Sequence, residues 1–89
     1  MKKLEELVLK GLLKEDAILV WRRKSVGVVH RARVVKQGLI ETQDGVLHKT
    51  PSGAAKHLNA GKPVDGWLAW RIEQSGRTLS ELRESVNRE

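Results

Sequence analysis

Trp67 and Trp70 are the side chains in this sequence best suited to contact an aromatic ligand. The chain has three tryptophans and no phenylalanine or tyrosine. We expect residues 67–72 to form a strand, in which side chains three positions apart face opposite sides. Trp70 would then be buried with Leu68. Trp67 would share an open face with Arg71 and stack on a base or a sugar. The alternative is a second small core around Trp67, and in a helix both rings would share one face.

A second set of candidate contacts lies at the start of a predicted helix. Thr50 can cap the free N–H groups of this helix, and Pro51 is tolerated at its first position. Ser52 and Gly53 follow in the first turn, where unpaired N–H groups and a partial positive charge can hold a phosphate. Lys56 adds a charge one turn later. The alternative is that Thr50 or Ser52 only caps its own helix.

Arginines at alternate positions of a predicted strand form a third set. Period two places Arg31 and Arg33 side by side on the outward face of this strand. Contacts from them to phosphates would give affinity without sequence choice. Arg22, Arg23 and Lys24 extend the same path in a connecting loop, and the alternative is an ordinary solvated face. The predicted inward positions are Val26, Val28, His30, Ala32 and Val34.

The positive charge of the chain is concentrated in one segment. The net charge is +6, and residues 17–40 contain no Asp or Glu. The rest of the chain has as many acidic as basic residues, so the whole excess lies in this segment. Such clustering favours a polyanionic partner, most often nucleic acid. The alternative is a basic hairpin that aids solubility.

The sequence gives little support for catalysis. It contains no cysteine, which excludes a disulfide framework and a thiolate metal site. His30, His48 and His57 are isolated and lack the short spacings of a metal site, and we interpret His30 as a hydrogen-bonded structural residue. There is no glycine-rich phosphate loop. We predict no enzyme activity, no cofactor and no metal site.

The sequence also argues against a membrane protein. No apolar run approaches the roughly 20 residues that cross a bilayer. Glu5 and Glu6 interrupt the apolar stretch that a signal peptide would need. We expect a cytoplasmic protein, associated with the nucleoid if it is bacterial.

The hydrophobic pattern predicts one small α+β domain over residues 1–89, with its core in about residues 4–86 and a modest buried surface. We expect an antiparallel or mixed sheet of four to five strands with three short helices, in the order α-β-β-β-β-α-β-α. The predicted helices begin near Leu4, Thr50 and Thr78. The predicted strands span residues 17–21, 26–35, 39–42, 46–48 and 67–72.

Turn and cap signals fix several boundaries of these elements. Asp44-Gly45 predicts a tight hairpin turn. The first helix is expected to end near residues 11–13, and Gly61 to take a left-handed conformation after the second. Thr78 and Glu81 predict a capping box for a final helix. The apolar positions of that helix are Leu79, Leu82 and Val86.

Several short motifs occur in a characteristic order. The most specific are Pro51-Ser52-Gly53-Ala54-Ala55 and Gly66-Trp67-Leu68-Ala69-Trp70. With the first helix, the Asp-Gly hairpin and the Thr-Leu-x-x-Leu-Arg start of the last helix, they resemble the restriction-enzyme adenine-methylase-associated (RAMA) domain from Leu4 to Arg83. The resemblance implies DNA binding, with modified adenine as a target, in a module attached to methylases, nucleases or metalloproteases. The chain departs from the family at Asp65, where Asn is usual, and an acid there would weaken contact with a base or phosphate.

We therefore expect a module that binds duplex DNA. The basic strand and the helix start would hold phosphates, and Trp67 with Arg71 would face bases or sugars. A protein-interaction or dimerisation module that uses the Trp67 surface is the first alternative, and an RNA-binding domain is the second. Further partners would be a second copy of the chain, or a methylase or nuclease.

Overall fold

The protein has four short helices, five strands and one 3-10 turn within residues 4–87, the part of the chain that the computed structural model describes. The helices are α1 (Leu4–Leu9), α2 (Pro51–Leu58), α3 (Gly66–Ala69) and α4 (Leu79–Asn87), and the 3-10 turn spans Lys36–Gly38. The strands are β1 (Ile18–Arg23), β2 (Val28–Val34), β3 (Ile40–Thr42), β4 (Leu47–His48) and β5 (Arg71–Ile72). The predicted α+β class is confirmed, with one helix more than the three expected.

The five strands form a single antiparallel sheet in the order β4-β3-β2-β1-β5. The predicted Asp44-Gly45 turn joins β3 to β4, with Gly45 at a φ of +82°, which glycine adopts without a steric cost. Strand β5 returns after α2 and α3 to pair with β1, so that Leu19 lies opposite Ile72. The sheet therefore joins the basic segment to the residues that follow the tryptophan pair.

The core lies between the sheet and the helices that pack on one of its faces. The second half of strand β2 follows the predicted alternation, because Ala32 and Val34 are buried whereas Arg31 and Arg33 are exposed. The inward positions predicted for Val26 and Val28 were wrong, because β3 does not extend to them and both side chains are exposed. The exposed arginines lie on the opposite face of the sheet. The core cluster comprises Leu4, Leu7, Leu13, Leu19, Ala32, Val34, Ile40, Ala54, Trp70, Leu79 and Leu82.

Strands β1 and β2 extend beyond their neighbours. Strand β5 pairs with β1 only at Leu19 and Val20, and β3 pairs with β2 only over residues 32–34. Three more β1–β2 pairs follow, from Trp21 opposite His30 to Arg23 opposite Val28. We call residues 21–30 the β1–β2 ribbon. Arg22 and Arg23 belong to strand β1, so the prediction of a loop at these positions was wrong.

The predicted strand over residues 67–72 was also wrong, because its first half is helix α3. The Asp65 side chain accepts a hydrogen bond from the Trp67 N–H at 3.1 Å, and the Ala69 N–H bonds to the Asp65 carbonyl at 3.0 Å. This cap begins a helical turn that strand propensity did not reveal. Leu68, which was expected to be buried with Trp70, is 60% exposed.

The ends of the first two helices follow from local signals. Helix α1 ends at Leu9, earlier than the predicted region at residues 11–13, and Leu9 is 78% exposed. Helix α2 begins at Pro51 as predicted. Gly61 takes a φ of +81° after it, which confirms the expected left-handed residue.

Helix α4 begins at the predicted cap. The Thr78 hydroxyl accepts a hydrogen bond from the Glu81 N–H at 3.1 Å, and the Glu81 carboxylate lies 3.6 Å from Arg77 Nε. Leu79 and Leu82 are buried as expected. The side chain of Val86, the third apolar position predicted for this helix, lies outside the described residues.

Candidate nucleic-acid interface

Hydrogen-bonding groups at the start of helix α2 already have partners within the protein. Thr50 Oγ1 accepts a hydrogen bond from the Gly53 N–H at 2.9 Å, and the Thr50 carbonyl accepts one from the Ala54 N–H at 3.1 Å. Ser52 Oγ accepts a hydrogen bond from the Gly66 N–H at 3.0 Å. The groups expected to hold a phosphate are therefore engaged in capping α2 and in joining it to α3.

Helices α2 and α3 meet in a close backbone contact. A Cβ atom at Gly66 would overlap the Pro51 carbonyl and the Ser52 nitrogen, so this contact requires glycine. The indole N–H of Trp70, which is fully buried, donates to the Pro51 carbonyl at 3.1 Å. We call this contact the α2–α3 junction. Its polar groups are satisfied within the fold, and the prediction that Trp70 is a core residue is confirmed.

Trp67 contacts helix α4. Its ring is half-buried and packs against the core, and the Arg83 guanidinium lies 4.4 Å from the ring centroid. Arg71 lies on strand β5, opposite Val20, and donates to the Gly76 carbonyl at 2.8 Å. One ring face of Trp67 is thus covered by a cation of the same protein.

Arg31 and Arg33 lie on the open face of the sheet with acidic partners. Arg31 Nε is 3.1 Å from a carboxylate oxygen of Glu73. Arg33 Nη2 is 2.9 Å from a carboxylate oxygen of Glu41, and its Nη1 is 3.9 Å from one of Asp16. The basic segment contains no acid in sequence, but the fold brings three carboxylates from other segments to these two arginines.

A group of cations without carboxylate partners lies where β1, α3 and β5 meet. Arg22 and Lys24 make no ion pair or side-chain hydrogen bond within residues 4–87, and the one such bond of Arg71 goes to a backbone carbonyl. They surround an open surface notch of about 510 Å³. We call it the basic notch. It is lined by Trp21, Arg22, Lys24, Leu68, Ala69 and Arg71.

Trp21 is the functional candidate that the sequence analysis missed. It is half-buried in β1, its ring centroid lies 5.9 Å from that of Trp70, and it lines the basic notch. The signal was available, because Trp21 is the third tryptophan and directly precedes the run Arg22-Arg23-Lys24. The sequence placed this residue only at the end of a predicted apolar strand.

The β1–β2 ribbon is held against the body of the protein at its base, through Trp21 and His30, and along one face, through Arg23. Arg23 Nη2 donates to Asn59 Oδ1 at 2.9 Å, and its guanidinium lies 4.9 Å from the centroid of the Trp21 ring. The His30 ring lies 5.2 Å from Trp21. Beyond this base the side chains are open to solvent. Val26, Val28 and Val29 are 54%, 41% and 46% exposed.

His30 does not make the expected hydrogen bond through Nε2, which is buried without a partner among residues 4–87. Burial lowers the pKa of His30, and the nearby Arg23 lowers it further. Both effects favour the neutral ring of His30.

His48 and His57 are not isolated, because β4 and α2 bring their rings to a centroid distance of 4.9 Å. His57 Nε2 lies 2.6 Å from Asp44 Oδ2. Hydrogen bonds from the Thr42 hydroxyl and then from His57 lower the pKa of Asp44 to about 2. Burial, followed by His57, lowers the pKa of His48. Among the described residues no cluster of three or more His, Cys, Asp or Glu side chains could hold a metal ion.

A comparison with protein families tests the resemblance that the motifs at the α2–α3 junction suggested. The family model described as Restriction Enzyme Adenine Methylase Associated (RAMA) matches residues 2–89. The chain belongs to the RAMA family. No match was found among curated proteins. Within residues 4–87 of this RAMA domain, no helix has the length and apolar character needed to span a membrane.

Proposed function

We propose that this RAMA domain is a non-catalytic module that binds duplex DNA. The observation that carries the proposal is the basic notch, where Arg22, Lys24 and Arg71 have no carboxylate partner among the described residues and surround an open surface beside Trp21. A cation without an internal partner can bind a phosphate without first breaking an ion pair, and phosphate contacts supply most of non-specific DNA affinity. The family name supports the same partner, because an adenine methylase acts on DNA.

The other residues predicted to bind DNA differ in how readily they could contact a phosphate. Arg31 and Arg33 can take part by exchanging Glu73 and Glu41 for phosphates, because exposed ion pairs are worth only about 0–1 kcal/mol. Lys56 is exposed on α2 and can add a peripheral contact. The structural roles of Thr50, Ser52, Gly53, Asp65 and Trp67 account for these residues without a ligand.

A modified adenine is the proposed target within the duplex, and the family association with adenine methylases motivates it. The N6 group of adenine lies in the major groove, so a methyl group added there would be accessible to a protein bound in that groove. We further propose that the module acts beside a methylase or nuclease, in the compartment that holds the DNA.

The test is a binding titration with a matched control for charge. The notch variant carries Arg22→Ala, Lys24→Ala and Arg71→Ala. The control carries Lys10→Ala, Lys14→Ala and Lys62→Ala, which removes the same charge from exposed positions outside the notch. At about 1 kcal/mol for each of the three contacts, we expect the notch variant to lose about 100- to 200-fold in affinity. Its slope of log K against log salt should fall by about 2 to 3.

The control should retain most of its affinity, because long-range attraction is screened over about 10 Å at 0.1 M salt. Equal affinities for the notch variant and the control would contradict the placement of the site. Failure of the unmodified protein to bind any duplex would contradict the function itself. Competition with single-stranded DNA and with RNA separates duplex binding from the RNA-binding alternative.

Protein interaction through the Trp67 surface is the second candidate function. Arg83 already covers one face of this ring, which leaves less aromatic surface for a partner than the sequence suggested. Sedimentation at two salt concentrations distinguishes the two functions. A dimer that does not respond to salt, from a protein that does not bind DNA, would favour the interaction module.

A further inference from the structure

The β1–β2 ribbon has the dimensions of an element that enters a DNA groove. Three residue pairs extend beyond β5 and β3, which corresponds to about 10 Å at 3.3 Å per residue. The major groove of B-DNA is about 8.5 Å deep and about 12 Å wide and admits a two-stranded ribbon, whereas the minor groove is only about 6 Å wide. A two-stranded ribbon of this size therefore fits the major groove better than the minor groove.

The charges of the ribbon fit such a position. The segment from residue 17 to residue 40 has no acidic side chain, and Glu73 pairs with Arg31 next to the base of the ribbon. Arg22 and Lys24 lie on the ribbon, and Arg71 completes the basic notch at its side. With the tip of the ribbon inside a groove, these cations would lie beside the phosphates that border the groove.

The tip of the ribbon is apolar. Val26, Val28 and Val29 are each about half exposed, so part of their apolar surface is open to a ligand. Valine also has high strand propensity, so these side chains could serve only to form the ribbon. A variant that keeps the β-branch while adding a polar group separates the two roles.

The base of the ribbon keeps the tip in a defined position. The Arg23–Asn59 hydrogen bond and the packing of Trp21 between His30 and Trp70 join it to the core. An element that is ordered before binding loses less conformational entropy when it binds.

We propose that the β1–β2 ribbon enters the major groove of duplex DNA and that Val28 and Val29 contact methyl groups on the base edges. Thymine C5-methyl is the apolar group that unmodified base pairs present there. A methyl group on adenine N6 would offer the same chemistry from the neighbouring base. The proposal rests on the proposed DNA-binding function and assigns base contact to the ribbon rather than to Trp67.

The experiment compares duplexes of one sequence that differ only in methyl groups. One contains thymine, a second contains uracil in its place, and a third adds N6-methyladenine. The proteins are the unmodified chain, Val28→Ser/Val29→Ser, Val28→Thr/Val29→Thr, and Val46→Ser as a control at an exposed valine outside the ribbon. Thermal unfolding of each variant confirms that it is folded.

We expect the unmodified protein to lose about threefold to fourfold in affinity for each thymine methyl contact removed, as the burial of one methyl group predicts. The Ser variant should bind the thymine duplex more weakly and should no longer distinguish thymine from uracil. The Thr variant retains one methyl group per side chain, so its affinity for the thymine duplex should lie between those of the unmodified protein and the Ser variant. Val46→Ser should behave like the unmodified protein.

The third duplex identifies the source of the methyl group. Tighter binding to the N6-methyladenine duplex that depends on Val28 and Val29 would assign the contact to the modified base as well. Equal binding of the unmodified protein to all three duplexes would overturn the ribbon proposal and leave DNA binding through the notch intact. Absence of binding to every duplex would overturn both.

Discussion

The α2–α3 junction and the β1–β2 ribbon differ in how much of their polar chemistry the fold itself uses. At the junction, the Ser52 hydroxyl, the Gly66 N–H and the Trp70 indole N–H all have partners inside the protein. In the ribbon and the basic notch, Arg22 and Lys24 have none among residues 4–87. The fold therefore satisfies the polar groups of the junction and leaves cations of the notch available to a ligand, although the sequence suggested binding at both.

This difference indicates that the residues most recognisable in the sequence of this domain serve its packing. The two signature motifs of the family contain small residues because two backbones meet there, at Pro51 and Gly66. The positions that remain available for binding are ordinary arginines, lysines and valines, which carry no distinctive sequence signal.

The largest effect should come from Gly66→Ala at the junction. The new methyl group would overlap the Pro51 carbonyl, so we expect a loss of about 3 kcal/mol in the free energy of unfolding, measured by denaturant titration. Gly76→Ala is the control, because a Cβ there meets open space and only its positive φ costs about 1 to 2 kcal/mol. Equal losses for the two variants would contradict the close contact.

Ser52→Ala should have a smaller effect that also separates structure from binding. It leaves the Gly66 N–H without its acceptor, so we expect a loss of about 1 to 2 kcal/mol in the free energy of unfolding. The affinity of the folded protein for DNA should not change. A fall in affinity at unchanged stability would instead indicate a phosphate contact at Ser52.

Arg31→Ala combined with Arg33→Ala tests whether arginines that form ion pairs contribute less to DNA binding than the cations of the basic notch. Both must leave a carboxylate before they bind a phosphate, so we expect only about threefold weaker DNA binding, measured at the same salt as the notch variant. Removing Glu41 and Glu73 together, by Glu41→Gln and Glu73→Gln, should strengthen binding. If the arginine pair mattered as much as the notch, the role assigned to ion pairing would be wrong.

Acidification should destabilise the protein in two steps. The pKa values of His30 and His48 are lowered from 6.5, so the unfolded state takes up protons first and stability falls as the pH drops through about 6.5. The pKa of Asp44 is lowered from 3.8 to about 2, so its contribution is lost as the pH falls from 3.8 towards 2. Thermal unfolding between pH 8 and about pH 2 measures both steps, and His48→Gln should reduce the first.

The smallest effect should come from Asp65→Asn, which restores the residue usual in the family. Asn and Asp are similar helix caps, so we expect the free energy of unfolding to change by less than about 0.5 kcal/mol. Affinity for DNA should rise only slightly, through the removal of one exposed negative charge. A gain above tenfold would place Asp65 in direct contact with DNA.

Local chemistry made much of the fold predictable. Thr50 with Pro51 marks a helix start, and Asp44-Gly45 marks a hairpin, because each acts within a few residues of the backbone it shapes. The alternation in β2 placed Arg31 and Arg33 outside and Val34 inside for the same reason. Residues 67–69 were mispredicted because their apolar composition suits a strand, whereas the Asp65 cap and the fit of Gly66 against Pro51 favour a helical turn; residues 71–72 do form a strand.

The candidate site was less predictable, because it depends on which distant side chains meet. The sequence by itself determined that the positive charge is concentrated in residues 17–40, and it placed most of the elements. Only the tertiary structure decided that Arg31 meets Glu73 and Arg33 meets Glu41, while Arg22 and Lys24 stay free beside Arg71. Strand register and the packing of α3 set these distances, and Coulomb attraction acts on distance in space and not on separation along the chain.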